Sequence, residues 1–316
     1  MTMTESPPER SPQLEEETTG RAGDVVFAGI SRASGILIML ALAGVAIFLF
    51  QQGLPALDGQ GAEGYGKSSI WAFVWPLLFG TLIASTIAML VSAPLAIGVA
   101  LIISHYAPRR IAKAMGWLID LLAAIPSVVY GLWGIEFLAR NLVDPYKWLE
   151  NHVGWIPLFA GPVPNSGRTM LTAGLVLAVM ALPIVTAICR EIFAQTPRMN
   201  QEAALALGAT RWEMIRLAVF PYARSGMISA VLLGLGRALG ETMAVALVLA
   251  PTLIVSFNLI SAEQSSSTIA ANIALNFGNA SGSKVDALIF TGLVLFVITF
   301  GVNILGRGIA NRTRKA

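Results

Sequence analysis

The sequence predicts an all-α integral membrane protein with six transmembrane helices, and three observations carry that prediction. Of its 316 residues, 55% are hydrophobic and only 12% are charged, with a mean hydropathy of +0.71. A soluble domain with so few charges would expose large apolar patches to water. Six apolar runs are long enough to cross a hydrocarbon core of roughly 30 Å, which takes about 20 helical residues. The Lys and Arg residues also gather in alternate connections, fifteen against five.

Taken in order, residues 1–24 are rich in Pro, Ser, Thr and Glu and hold no apolar run, so they predict a disordered tail. The tail is taken to residue 29. It is no signal peptide, because its start is acidic and no apolar stretch follows promptly. The six spans are expected at 30–50, 78–104, 114–138, 170–188, 226–254 and 287–305. Residues 30–77 then hold the first span and an outer loop, 78–307 form the core, and 308–316 are a basic tail. Pro94, Pro126 and Pro183 fall inside spans, where each is expected to kink its helix. The Lys/Arg-rich connections mark the cytoplasmic side, which puts both termini inside. Trp71, Trp75, Tyr106, Trp133, Tyr146 and Trp155 lie near span ends, as in an aromatic belt. Two outer loops are long, 141–168 and 254–286, and 268–277 in the second predicts a short helix at the outer surface.

Several function classes are excluded. The net charge of +3 is small and dispersed, which argues against nucleic acid. Cys189 stands alone and is read as a small hydrophobe. His105 and His152 are far apart, so no metal site is expected, and no nucleophile–base set points to catalysis. Gly61, Gly66, Lys67 and Ser68 stand in P-loop spacing, but that motif needs a strand before it and a helix after it. Here a Gly- and Pro-containing loop precedes it on the outer side, so it is read as a flexible connection.

Two polar features remain. The first is a cytoplasmic hairpin at 196–221. Thr196 and Pro197 predict a helix start, and Gly208 a left-handed stop. Thr210 with Glu213 three residues on is a capping box, and Pro221 is expected to end the second arm. Ala203, Ala204 and Leu207 give the first arm a small apolar face, with Arg211 and Trp212 near the elbow. The second feature lies in the fifth run, where Arg237 falls about 16 Å along from residue 226 at 1.5 Å per residue. A charge near the midplane faces protein or a watered path. Glu241 is four residues on and is expected to pair with it. Gly236 and Gly240 form a GxxxG step that favours close helix packing.

Glu202, Ala203, Ala204 and Gly208, followed by Phe220 and Pro221, resemble the EAA loop of ABC-importer permeases. The run from Gly236 to Val245 and the segment from Ile125 to Gly131 resemble the C-type permease (PstC) of phosphate-specific ABC importers. The resemblance implies a type I ABC-importer permease fold in a bacterial cytoplasmic (inner) membrane. It also implies that this chain is no enzyme and holds no cofactor, with ATP and Mg on partner ATPase subunits. The partners it implies are an A-type permease chain, two ATP-binding subunits, an extracytoplasmic phosphate-binding protein and inorganic phosphate. Glu202, Ala203, Ala204, Gly208 and Arg211 would couple to the ATPase, and Arg237 and Glu241 would line the substrate path. Rival readings are a permease for another oxyanion, sulfate or molybdate, and an ion-coupled secondary transporter.

Overall fold

The computed structural model describes residues 21–250 and 252–315. Among these residues there is no strand. The helices in order are α1 (Arg21–Gly53), α2 (Gln60–Glu63), α3 (Ile70–Leu101), α4 (Arg109–Ala123), α5 (Ser127–Trp133), α6 (Arg140–Val153), α7 (Met170–Ala194), α8 (Arg198–Ala206), α9 (Arg211–Met214), α10 (Phe220–Leu239), α11 (Met243–Val248), α12 (Ile269–Asn276) and α13 (Ser283–Lys315). Five helical stretches are long and apolar enough to cross a membrane. A sixth span exists if the bent pair Arg109–Ala123 and Ser127–Val153 is counted as one.

That pair corrects the expected third span. The chain turns by 93° between its halves, and Pro126 is the N-cap of α5 instead of a kink inside one helix. A proline cannot donate to the preceding turn and pushes its predecessor away from helical angles, so the helix stops. Pro94 and Pro183 do lie inside α3 and α7. The expected tail also needs correction: α1 begins at Arg21, so residues 21–29 are helical, while residues 1–20 lie outside the described residues. At the other end, α13 continues to Lys315.

Side-chain caps begin four of the described helices, α9 in the hairpin and three others. Ser69 accepts from the Ala72 amide, Thr169 from that of Thr172 and Thr268 from that of Ala271. Each cap satisfies an amide that the first helical turn leaves open. α12 therefore exists where the sequence places a short helix. Its residues Ile269, Ala271 and Asn272 are buried, while Leu275 near its end is exposed.

α3 and α7 form the spine of the bundle, joined through small residues. Ala84, Ala88 and Ala173 are fully or almost fully buried, and a Cβ on Gly174 would stand 2.6 Å from Ile87. Helices in a membrane gain little from apolar burial against lipid, so close packing of this kind is what holds them together. Tyr146 corrects the aromatic-belt expectation. It is buried, and its hydroxyl lies 3.0 Å from the Thr172 hydroxyl, tying α6 to the start of α7.

The glycine- and lysine-bearing loop at 61–68 is packed, in contrast to the flexible connection expected. Ala62 is buried, and a Cβ on Gly61 would meet the Ser283 carbonyl at 2.2 Å. Lys67 Nζ donates to the Leu253 carbonyl at 3.1 Å, and Tyr65 stacks on Phe73 at 4.7 Å. Its groups are spent on the fold, which leaves no cradle for a phosphate.

Candidate functional site

The fifth apolar run breaks at its most polar point. α10 ends at Leu239, Gly240 caps it, and α11 begins only at Met243. Glycines at 234, 236 and 240 lower helix stability here by about 1 kcal/mol each relative to alanine. Arg237 lies in the last turn of α10, where a cation meets the negative end of the helix dipole, and its side chain is exposed.

The expected Arg237–Glu241 pair is not formed. Spacing of four residues puts two side chains on one face only if the helix is continuous, and here it is not. Glu241 turns inward, is 8% exposed, and accepts the Ala244 amide at 3.2 Å. It thus holds the start of α11. The end of α11 is held by a residue that the sequence reading passed over. Arg168 donates from Nε to the Val248 carbonyl at 3.2 Å and from Nη2 to the Leu247 carbonyl at 2.5 Å.

Among the described residues of this chain, no other helix packs on Gly236 or Gly240. No atom lies within 4 Å of a Cβ placed on Gly236, and only the Gly236 carbonyl, at 3.6 Å, lies near one on Gly240. The close approaches on α10 are at Gly226 and Gly234, whose Cβ positions would meet Ile192 at 2.8 Å and Val185 at 2.7 Å. Gly236 and Arg237 instead line an open cavity of about 410 Å³, together with Asn303 from α13. Asn303 was legible in principle as the single amide of the last apolar run.

The two distant signature segments meet beside this break. A Cβ on Gly131 would lie 2.9 Å from the Ala244 Cα and 2.9 Å from Leu247, so α5 and α11 touch through backbone. Tyr130 is buried, and its hydroxyl donates to the Leu122 carbonyl at 2.8 Å. That bond bridges the bend between α4 and α5.

The hairpin follows the sequence in most of its parts. α8 ends at Ala206, and Gly208 has φ +85°. The Thr210–Glu213 capping box is complete, with the Glu213 carboxylate accepting the Thr210 amide at 2.7 Å. Two details differ. Pro197 itself is the N-cap of α8 with no side-chain cap, and Thr196 Oγ1 is buried without a partner. Pro221 does not end the second arm. A π-helical turn at Ile215–Val219 lets the Phe220 amide reach Ile215, five residues back. Pro221 then follows directly on that turn, among the first residues of α10 and inside a continuous helical run.

Arg211–Leu239 is therefore one helical stretch of 29 residues. At 1.5 Å per residue it carries the hairpin elbow and Arg237 about 39 Å apart on a single rod. Its base is anchored by Met214, Ile215 and Val219, buried with Val185, Cys189 and Phe193. The outer side of the hairpin is open. Glu202, Ala203 and Arg211 are exposed and Ala204 is half-buried. A groove of about 880 Å³ runs past Ala203, Ala204, Gly208 and Leu217, and Leu207 is 90% exposed. Trp212 packs edge-on to Phe220 at 6.1 Å.

Residues 92–315 match the family described as binding-protein-dependent transport system inner membrane component. The chain belongs to that family. Among similar members is the phosphate transport system permease protein PstC 2 of Mycobacterium tuberculosis (strain ATCC 25618 / H37Rv), 41% identical over 301 residues and 92% of each chain. Another is the PstC protein of Xylella fastidiosa (strain 9a5c), 37% identical over 97% of this chain and 96% of its own. Among solved structures, a bacterial ABC transporter that imports the acidic polysaccharide alginate matches with TM-score 0.53 and 18% identity. The match covers 91% of this chain and 98% of that one. A second alginate transporter structure, in complex with a pentasaccharide-bound periplasmic protein, matches with TM-score 0.51 and 17% identity over 90% and 97%. These likenesses establish the family's permease fold in a multi-pass membrane protein.

Proposed function

We propose that this chain is a permease subunit of an ATP-driven phosphate importer. It would form the path with a second, A-type permease chain and receive phosphate from an extracytoplasmic binding protein. It carries no ATPase site of its own in this reading, and ATP and Mg²⁺ belong to two partner subunits. The observation that carries the proposal is the exposed Arg237, placed at a helix break beside the contact of α5 with α11, in a chain 41% identical to a protein named as a phosphate transport system permease.

A guanidinium suits phosphate because its planar fork matches two oxygens. Glu241, fixed in the break by the Ala244 amide, would temper that attraction from behind without neutralising it, so the anion can leave. Gly236 and Gly240, free of neighbours in this chain, leave space for the anion or for the second permease. Both termini and the hairpin face the cytoplasm in this reading. The hairpin's small residues Ala203, Ala204 and Gly208, flanked by Glu202 and Arg211, offer an ATPase subunit a groove with apolar walls. Displacement of the elbow is carried to Arg237 along the continuous Arg211–Leu239 helix.

The test is uptake into proteoliposomes holding the chain with its partner subunits. Labelled phosphate should enter only with ATP inside the ATPase compartment, and excess sulfate or molybdate should not compete. Competition by either oxyanion at equal concentration would reassign the substrate.

A further inference from the structure

A second polar cavity, of about 670 Å³, opens between α4, the end of α7 and the start of α8. Its charged and titratable lining is Lys113, Asp120, Arg190, Glu191, Arg198 and His105, three basic side chains against two carboxylates, with a histidine beside them. Arg190 lies against Gly116 so closely that a Cβ there would stand 2.2 Å from Nη1. One of its nitrogens, Nη2, reaches both Asp120 oxygens, each at a long 3.3 Å. Among the described residues, its Nε and Nη1 groups donate to no protein atom, although the side chain is only 26% exposed. Thr196, whose hydroxyl also lacks a partner, lines the same cavity and is 3% exposed. These are donors without acceptors.

α4 has the make-up of a helix that lies in a membrane interface. Arg109, Arg110 and Lys113 open it, while Ile111, Trp117, Leu118 and Leu121 are all at least half exposed. It meets the next helical segment at 93°. Cationic residues beside exposed apolar side chains and a tryptophan suit the headgroup boundary. Basic pockets between spans on the cytoplasmic side are seats for phospholipid headgroups.

We propose that this cavity holds the phosphate of an anionic phospholipid from the cytoplasmic leaflet, with Arg190, Lys113 and Arg198 as its donors. The lipid's acyl chains would lie along the exposed apolar side chains of α4. This rests on the cytoplasmic orientation proposed above, and it does not depend on which solute the chain transports.

The experiment is native mass spectrometry of the purified full chain, titrated with phosphatidylglycerol, phosphatidylcholine or inorganic phosphate. One phosphatidylglycerol per chain should be retained in preference to phosphatidylcholine. Lys113→Gln should weaken retention about fivefold, and Lys113→Gln with Arg198→Gln about thirtyfold, since each cation near a bilayer surface adds a comparable increment. Both residues are exposed, so the variants should melt as the parent does. Arg110→Gln removes a charge from the same helix outside the cavity and should leave retention unchanged. Equal retention of phosphatidylcholine would overturn the proposal, as would an Arg110→Gln effect as large as that of Lys113→Gln. Displacement of the lipid by excess inorganic phosphate would assign the seat to soluble phosphate. Because no transport is measured, this result and the substrate assignment can fail independently.

Discussion

Substituting Gly131 by alanine tests the contact that joins α5 to α11. The added methyl would stand 2.9 Å from the Ala244 Cα and 2.9 Å from Leu247 Cδ1. Leu247 can rotate, but backbone cannot. Restoring an ordinary carbon contact of about 3.5 Å requires α11 to retreat by about 0.6 Å. α11 is held at both ends by hydrogen bonds of 3.2 Å, from the Ala244 amide to Glu241 and from Arg168 to Val248. The same retreat would stretch one of them to about 3.8 Å, beyond bonding distance. Overpacking costs about 1–3 kcal/mol and a lost hydrogen bond about 1 kcal/mol, so the change should destabilise by about 2–4 kcal/mol. The ratio of folded to unfolded chain would fall about 30- to 900-fold. SDS or thermal unfolding of the detergent-solubilised chain reads this directly. Gly236→Ala is the matched control: its methyl meets nothing, and it should be neutral or stabilising by up to about 1 kcal/mol. Equal stability of the parent and Gly131→Ala, or a larger loss for Gly236→Ala, would refute the reasoning.

Two further substitutions probe the parts that hold the site. Arg168→Met removes both donors to the last carbonyls of α11 and should destabilise by about 1.5–3 kcal/mol, the range for bonds from a charged donor; an unchanged unfolding midpoint would count against it. Thr210→Ala opens the capping box and should cost about 1 kcal/mol locally. Hydrogen exchange of the 211–214 amides should then accelerate about fivefold with the global unfolding midpoint unchanged, and unaltered exchange would show that the cap does not hold the elbow.

The sequence was most legible where structure is decided within one turn of chain. Gly208 in the left-handed region and the Thr210–Glu213 box both follow from residues three or fewer apart. It was least legible where a continuous helix was assumed. The Arg237–Glu241 pair presupposes an unbroken fifth helix, yet three glycines in seven residues already weakened it. The third span was hidden in a similar way, because apolar composition continues across Pro126 while the helix does not. Pro221 misled in the opposite sense: the π-helical turn at Ile215–Val219 keeps the helix going and has no signal in residue type. Arg168 and Arg190 were counted only as markers of sidedness. Their bonds reach α11, 79 and 80 residues away, and Asp120, 70 residues away, distances that spacing does not report.

The central claim is that Arg237 meets phosphate at the break while the hairpin moves the helix that carries it. ATP-dependent phosphate uptake by the reconstituted complex, compared between the parent and Arg237→Gln with assembly and ATPase activity verified in both, tests it most directly. The account predicts that uptake by the variant collapses while the complex stays assembled and ATP is still hydrolysed. Uptake equal to that of the parent would take Arg237 off the path and contradict the account.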